Sequence, residues 1–224
     1  ELTDDAATNW ASFSAGSKTG ALRADQLPST HPVAADIVDL EAVSTNFDQI
    51  TYGKGASVLA QLVTFVGRDA FLEGVRAYFA EHAFGNTSLA DLLAALEPPS
   101  GRDLQAWSER WLETAGVNTL ALEVETDGDD VLTAVTVVQT ATEEHPTLRP
   151  HRIGVGAYDL VDGLLTSTGR VELDVDGERT PVPGLVGRPR PALLLPNDGD
   201  LTFAKVRLDE RSRATVVEHL PLVA

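Results

Sequence analysis

The hydrophobic repeat of this chain changes near Asn118, and it turns helical again only at the last residues. Ahead of that point apolar side chains return every three or four residues, which gathers them on one face of a helix. Beyond it they return every second residue, which gathers them on one face of a strand. Helices first and strands second is a segregated order, unlike the alternation that builds a parallel α/β sheet. The chain therefore reads as an α+β multidomain protein. Its parts are a helical region over residues 1–117, an antiparallel β-sandwich over 118–208 and the start of a further helical domain over 209–224. With 224 residues there is enough chain to bury a sizeable core.

In the helical part, Asp4 and Asp5 precede Ala6, Trp10 and Phe13, an amphipathic run with acids at its positive end. A loop follows through Gly20 and Gln26-Leu27-Pro28-Ser29-Thr30-His31-Pro32. From Tyr52 to Val66 the stripe is Tyr52, Ala56, Leu59, Leu62, Val63 and Val66, ended by Gly67, and Asp69 is placed to cap the next helix. That helix carries Phe71, Leu72, Val75, Tyr78 and Phe79. Ser88-x-x-Asp91 is a capping box for a third, with Leu89, Leu92, Leu93 and Leu96 inward and Pro98-Pro99 as its stop. A fourth starts near Asp103, turns Leu104, Trp107, Trp111 and Leu112 inward, and takes Gly116 as its C-cap.

In the second part, Leu120, Leu122 and Val124 alternate with polar or small residues, and Asp127-Gly128-Asp129-Asp130 turns the chain into a hairpin partner from Val131 to Gln139. Further short strands are expected at 153–160, 164–167, 171–175, 192–195 and 201–206, separated by Asp162-Gly163, Asp176-Gly177 and Pro196-Asn197-Asp198-Gly199. Short strands punctuated by Gly and Asp turns describe an antiparallel sandwich. After Asp209 the spacing of Ser212, Val216, Val217 and Leu220 is helical.

Composition narrows the function. A formal charge of −17 excludes a nucleic-acid module, which needs a basic footprint. The acids are spread over both halves, so they read as a solvated surface. No cysteine means no disulfide framework, no thiolate metal site and no thiol nucleophile, and it fits a cytoplasmic setting. No apolar run has the length of a membrane span. Methionine is absent and the chain opens on Glu1, so it reads as a piece cut from something longer.

The usual catalytic signatures are missing. The five histidines, His31, His82, His145, His151 and His219, include no His-Glu-x-x-His pair. Each reads as a surface or hydrogen-bonded group before it reads as a ligand. There is no Gly-x-Ser-x-Gly elbow and no phosphate loop. Asp198-Gly199-Asp200 lacks the remaining ligands of a calcium loop and reads as a turn.

One segment stands apart: Phe47-Asp48-Gln49-Ile50-Thr51-Tyr52-Gly53-Lys54-Gly55-Ala56. It sets a tyrosine at a helix start beside two glycines that allow close backbone approach. Its phenol either packs, as most aromatics do, or projects its hydroxyl into a cleft as a donor. Lys54 is expected to face solvent or cap the loop, and His31 to fix its proline-bounded loop by hydrogen bonds.

This segment resembles the Tyr-x-Lys-Gly-Ala stretch of the aminopeptidase N family of zinc metallopeptidases, the gluzincins. Other stretches carry the resemblance in order along nearly the whole chain. Ser29-Thr30-His31-Pro32-Val33 resembles the family's Ser-His-Pro-Val segment, and Phe84-Gly85-Asn86-Thr87 the opening of its next helix. Residues 100–116, with Trp107 and Trp111, resemble the end of its catalytic domain, and 193–200 the close of its β-sandwich. Actinobacterial members look most similar.

The resemblance implies that residues 1–117 are the C-terminal helical lobe of a thermolysin-like catalytic domain. It implies that 118–208 are the β-sandwich that follows and that 209–224 begin the family's C-terminal helical domain. It implies zinc in the parent protein, a general-base glutamate on the zinc helix, peptide substrates, and a tyrosine that hydrogen-bonds the oxyanion. Tyr52 matches that tyrosine and is the one catalytic residue expected in this sequence.

The departure is as informative. The family's zinc helix, its glutamate ligand and its Gly-x-Met-Glu-Asn segment have no counterpart here. No metal ligand is assigned, no bound zinc is expected, and the chain alone is expected to be inactive. Neither nucleic acid nor membrane is an expected partner. Self-association is expected through apolar helix faces such as Trp10 and Phe13. Two rivals stand beside the peptidase reading. One is a non-catalytic module that binds a protein or peptide. The other is a carbohydrate-binding sandwich, which would need more exposed aromatics than Tyr158 and Phe203.

Overall fold

The computed structural model describes residues 5–35 and 37–219, apart from the side chains of 6 and 7. Asp4, the Ala6 side chain and Leu220 therefore lie outside the described residues. The chain divides into two compact units, Glu1–Gly116 and Val117–Ala224.

The first unit is helical. Helix α1 (Ala6–Phe13) runs through a π-helical turn, Ser14–Lys18, into α2 (Thr19–Ala24). A short α3 (Leu40–Thr45) follows, started by the Asp39 carboxylate, which accepts from Ala42 N–H at 2.7 Å. A second π-helical turn, Ile50–Lys54, then leads into α4 (Gly55–Val66). The Tyr52–Val66 stripe is thus displaced. Val58, Leu62, Phe65 and Val66 are buried, while Tyr52 and Leu59 are exposed. The wider π turn rotates the helix face, so a strict 3.6-residue stripe drawn through Tyr52 points the wrong way.

Gly67, at φ 87°, separates α4 from α5 (Arg68–Glu81) and is itself the N-cap, with Asp69 in the first turn. The capping box forms as expected: Ser88 and Asp91 satisfy each other's backbone N–H at the start of α6 (Leu89–Ser100). Pro98 and Pro99 do not stop this helix. They sit inside its last turn, and Gly101 in the left-handed region ends it. Helix α7 (Leu104–Trp111) is capped by Asp103, and its C-cap is Leu112 rather than Gly116. Leu96, Leu104, Trp107 and Trp111 form the centre of the unit.

The second unit is two sheets over one core. One sheet has β1 (Thr119–Thr126) paired to β2 (Leu132–Thr140), with β5 (Arg179–Pro181) and β7 (Lys205–Arg207) at its edges, in the order β5-β2-β1-β7. The other is β4 (Leu164–Val175), β3 (His151–Val161) and β6 (Leu193–Pro196), in the order β4-β3-β6. Leu120, Val135 and Val137 from the first sheet meet Ile153, Val155 and Leu194 from the second. The two stretches expected at 164–167 and 171–175 are one strand, β4. A bulge opposite Ala157/Tyr158 absorbs the break in alternation. One pair, β1 with β7, is parallel, so the sandwich is not wholly antiparallel.

Helix α8 (Glu210–His219) belongs to this unit and packs on β6. Ser212 Oγ accepts from Leu194 N–H at 3.0 Å, and Thr215 Oγ1 donates to the Ala192 carbonyl at 2.7 Å. No helix among the described residues is long and apolar enough to cross a membrane.

Candidate active site

Tyr52 sits in the middle of the second π turn. The wide ring closes with Gly55 N–H reaching the Ile50 carbonyl. Such turns place one side chain where a regular helix would not, and they recur at functional sites. The Tyr52 side chain projects to solvent and is 54% exposed. Its ring meets Phe47 edge-on, with centroids 4.9 Å apart. Among the described residues its hydroxyl has no hydrogen-bond partner, so the donor is free.

The turn is held from below by Asp48. One carboxylate oxygen accepts from Ile50 N–H at 2.8 Å and Thr51 N–H at 3.2 Å. Thr51 Oγ1 adds a bond to the Asn46 carbonyl at 2.5 Å. The other Asp48 oxygen lies 3.2 Å from His31 Nε2, while His31 Nδ1 lies 2.8 Å from the Pro32 carbonyl. The ring spans the Pro32 carbonyl and the Asp48 carboxylate. His31 thus fixes its proline-bounded loop, and it also ties that loop to the cap under Tyr52.

The glycines flank this geometry for different reasons. A Cβ on Gly53 would come within 2.8 Å of the Ser17 carbonyl and 2.9 Å of Ala21 Cβ, so only glycine lets the turn lie against the first π turn and α2. At Gly55 a Cβ would find ordinary contact with Val33 at 3.7 Å.

Lys54 corrects the expectation of a solvent-facing side chain. It is fully buried, with its ammonium 3.0 Å from Asp25 and a fully buried carboxylate opposite it. It also donates to the carbonyls of Thr114 at 3.3 Å and Gly116 at 3.4 Å. Asp25 accepts from Gly116 N–H at 2.9 Å and Thr30 Oγ1 at 2.6 Å. The pair therefore clamps the end of α2, the π turn and the segment after α7. The capping role is met, but from inside the unit, because an ion pair with this many donors and acceptors survives burial. No sequence motif picks out Asp25 or Asp48. Asp48 has a local signal, as an acid two residues ahead of an amide-rich helix start, whereas Asp25 has none.

The other histidines do not join this site. His151 is buried in the second unit, between Thr202 Oγ1 at 2.8 Å and Gln139 Oε1 at 3.1 Å. Gln139 gives its amide N–H to the Gly177 carbonyl and receives Arg149 N–H on its oxygen, so the oxygen faces His151. The ring is then the Nε2–H tautomer, accepting from Thr202 at Nδ1. Burial, with the Arg149 charge beside it, pushes its pKa down to about 3. At the 198–200 turn, Asp198 accepts from the Tyr158 hydroxyl at 2.6 Å, which pushes that phenol up to about 12, with burial adding to it.

No group of three His, Cys, Asp or Glu side chains among the described residues is placed to hold a metal ion. The residues present do not fit a zinc site, and no step through zinc is derived for them. A cavity of about 230 Å³ lies in the second unit, lined by Leu132, Ala157, Asp159, Thr168, Leu185, Arg188, Pro189 and Pro191. It contains no aromatic ring, which argues against a sugar platform there.

Comparison with known proteins bears on the same segment. Residues 1–111 match the peptidase family M1 domain. Aminopeptidase N of Streptomyces lividans is 61% identical over 219 residues, covering 95% of this chain and 26% of that protein. Tricorn protease-interacting factor F2 of Thermoplasma volcanium is 39% identical over 134 residues, covering 58% of this chain and 17% of that protein. Aminopeptidase 2 of Candida albicans is 30% identical over 156 residues, covering 68% and 17%. The chain thus spans about a quarter, or less, of the length of these relatives.

Proposed function

The chain belongs to peptidase family M1, the aminopeptidase N family, and from that premise we propose that it works as part of a cytoplasmic zinc aminopeptidase that removes N-terminal residues from peptides. Residues 1–117 are its helical catalytic lobe of thermolysin-like type, 118–208 its β-sandwich, and 209–224 the opening of a further helical domain. The metal and the general base belong to residues outside this sequence. What this chain supplies is one hydrogen-bond donor.

Attack of water on a peptide carbonyl turns a neutral oxygen into an oxyanion. A donor fixed where that charge develops stabilises the transition state more than the substrate. The observation that carries the reading is the Tyr52 hydroxyl, solvent-facing and without a partner among the described residues, on a turn held by Asp48. A phenol already committed to a neighbour would have to break that bond before helping.

In the zinc-loaded peptidase that carries this segment, Tyr52→Phe should leave zinc content unchanged and lower turnover by roughly 10²–10³, the usual cost of one oxyanion donor. Unaltered turnover sinks the assignment. The chain by itself should release no aminoacyl chromophore and retain no stoichiometric zinc, and metal-dependent release by the purified chain would refute that.

A second reading, a peptide- or protein-binding module without catalysis, draws on the name of the Thermoplasma relative, a protease-interacting factor. It predicts that Tyr52→Phe leaves turnover of the whole protein intact while partner capture persists.

A further inference from the structure

We propose that His31 and Asp48 are positioning residues for the Tyr52 hydroxyl, acting as a latch beneath the π turn. The inference rests on the oxyanion role proposed for Tyr52 and adds two residues that do not touch substrate. The π turn has a wide hydrogen-bonded ring whose leading amides need an acceptor from outside it. Asp48 supplies that acceptor. Its one oxygen takes the N–H groups of Ile50 and Thr51, the two residues that lead into Tyr52. Those N–H groups lie in the first turn and have no carbonyl within the turn to bond, so the carboxylate stands in for it.

The second oxygen of Asp48 faces His31, whose other nitrogen is bound to the Pro32 carbonyl. The carboxylate cannot swing away from the turn without leaving its contact with His31, and the ring is held on its other side by the Pro32 carbonyl. Above the backbone, Phe47 lies edge-on to the Tyr52 ring at 4.9 Å and limits its swing. The hydroxyl is thus free of partners among the described residues but fixed in place. Pre-organisation of that kind is what makes a single donor effective in a transition state.

A donor displaced by about an ångström loses much of its effect, so His31→Phe and Asp48→Ala should each lower kcat by about 10-fold or more with KM little changed. Asp48→Asn keeps an acceptor for Ile50 and Thr51 and should recover most of the Asp48→Ala loss. The decisive measurement is the cycle with Tyr52→Phe in the zinc-loaded peptidase. Once the hydroxyl is gone, misplacing it costs nothing, so His31→Phe should add no further loss. A second readout, independent of activity, is amide hydrogen exchange on the full 224-residue chain. His31→Phe should accelerate exchange at Ile50 and Thr51 and leave the amides of α6 unchanged.

Additive losses in the cycle, or unchanged exchange at Ile50 and Thr51, overturn the latch. If Tyr52→Phe alone leaves turnover unaltered, it is the oxyanion reading that fails. Should Asp48→Ala not fold, His31→Phe and Asp48→Asn carry the same cycle, since both leave the turn an acceptor.

Discussion

The two units differ in what lies at their most deeply buried polar positions. The helical unit buries a complementary ion pair, Asp25 with Lys54, each fully covered. The sandwich buries a neutral imidazole, His151, and the guanidinium of Arg149, whose partners include the neutral oxygens of Asn118 and Thr147. The units also differ in what they leave outside. Phe47, Tyr52, Phe79 and Phe84 are largely exposed in the helical unit, whereas no exposed large hydrophobic of the sandwich is aromatic. A sandwich closes its core between two sheets. The helical unit keeps apolar rings in water. Buried opposite charges join the end of α2, the π turn and the segment after α7, while His151 gives the sandwich a pH dependence of its own.

The sharpest way to break this contrast is Lys54→Ala. It strands the Asp25 carboxylate without its counter-charge and should cost about 3–5 kcal/mol, read as a lower melting temperature of the helical unit. Replacing both partners with apolar residues should restore most of that loss. If the single variant melts like the parent, the pair is not what pins the turn.

The sandwich should answer to acid. His151 has a folded pKa of about 3 against an ordinary value of 6.5. The unfolded chain therefore binds a proton that the native one refuses. The stability from keeping His151 neutral is complete above about pH 6.5 and is lost progressively as the pH falls toward 3, to a total of a few kcal/mol. Denaturant unfolding of the sandwich at pH 7 and pH 4 should show that loss, and His151→Gln should flatten it. An unchanged pH dependence in the variant would remove His151 as its source.

Smaller effects follow. Ser88→Ala removes one half of a capping box and should lower the stability of the helical unit by about 1 kcal/mol. Arg211→Ala breaks a two-point contact with an exposed Asp130 at 2.8 and 3.1 Å and should leave the melting curve unmoved, since surface pairs count for little. The exposed rings make a separate claim. Trp10 is half exposed and meets Phe13 edge-on at 5.7 Å. Sedimentation should show concentration-dependent self-association of the chain that Trp10→Ser weakens.

Much of the fold is legible in the sequence. The period switch at Asn118 lies within two residues of the boundary between the compact units. The Ser88 capping box, the Asp103 cap, the buried Trp107 and Trp111 and the Asp127–Asp130 turn are local patterns with local causes. Tyr52 is legible as a candidate through the surrounding motif. Pro98-Pro99 misleads as a stop because a helix can carry proline in its last turn when a glycine beyond it provides the cap.

What the sequence determined by itself was the order of elements, most of the caps and the family, because those depend on neighbours a few residues apart. Only the tertiary structure decided that Lys54 points inward, since its partners are Asp25, Thr114 and Gly116. It alone placed His31 under Asp48, ran β4 through its bulge and laid β7 parallel to β1. Each of those outcomes joins residues distant in sequence or bends an element out of its regular repeat. Neither propensity nor periodicity carries that information, because both are sums over a short window, and a buried charge or a bulge is settled by whatever the fold brings to face it.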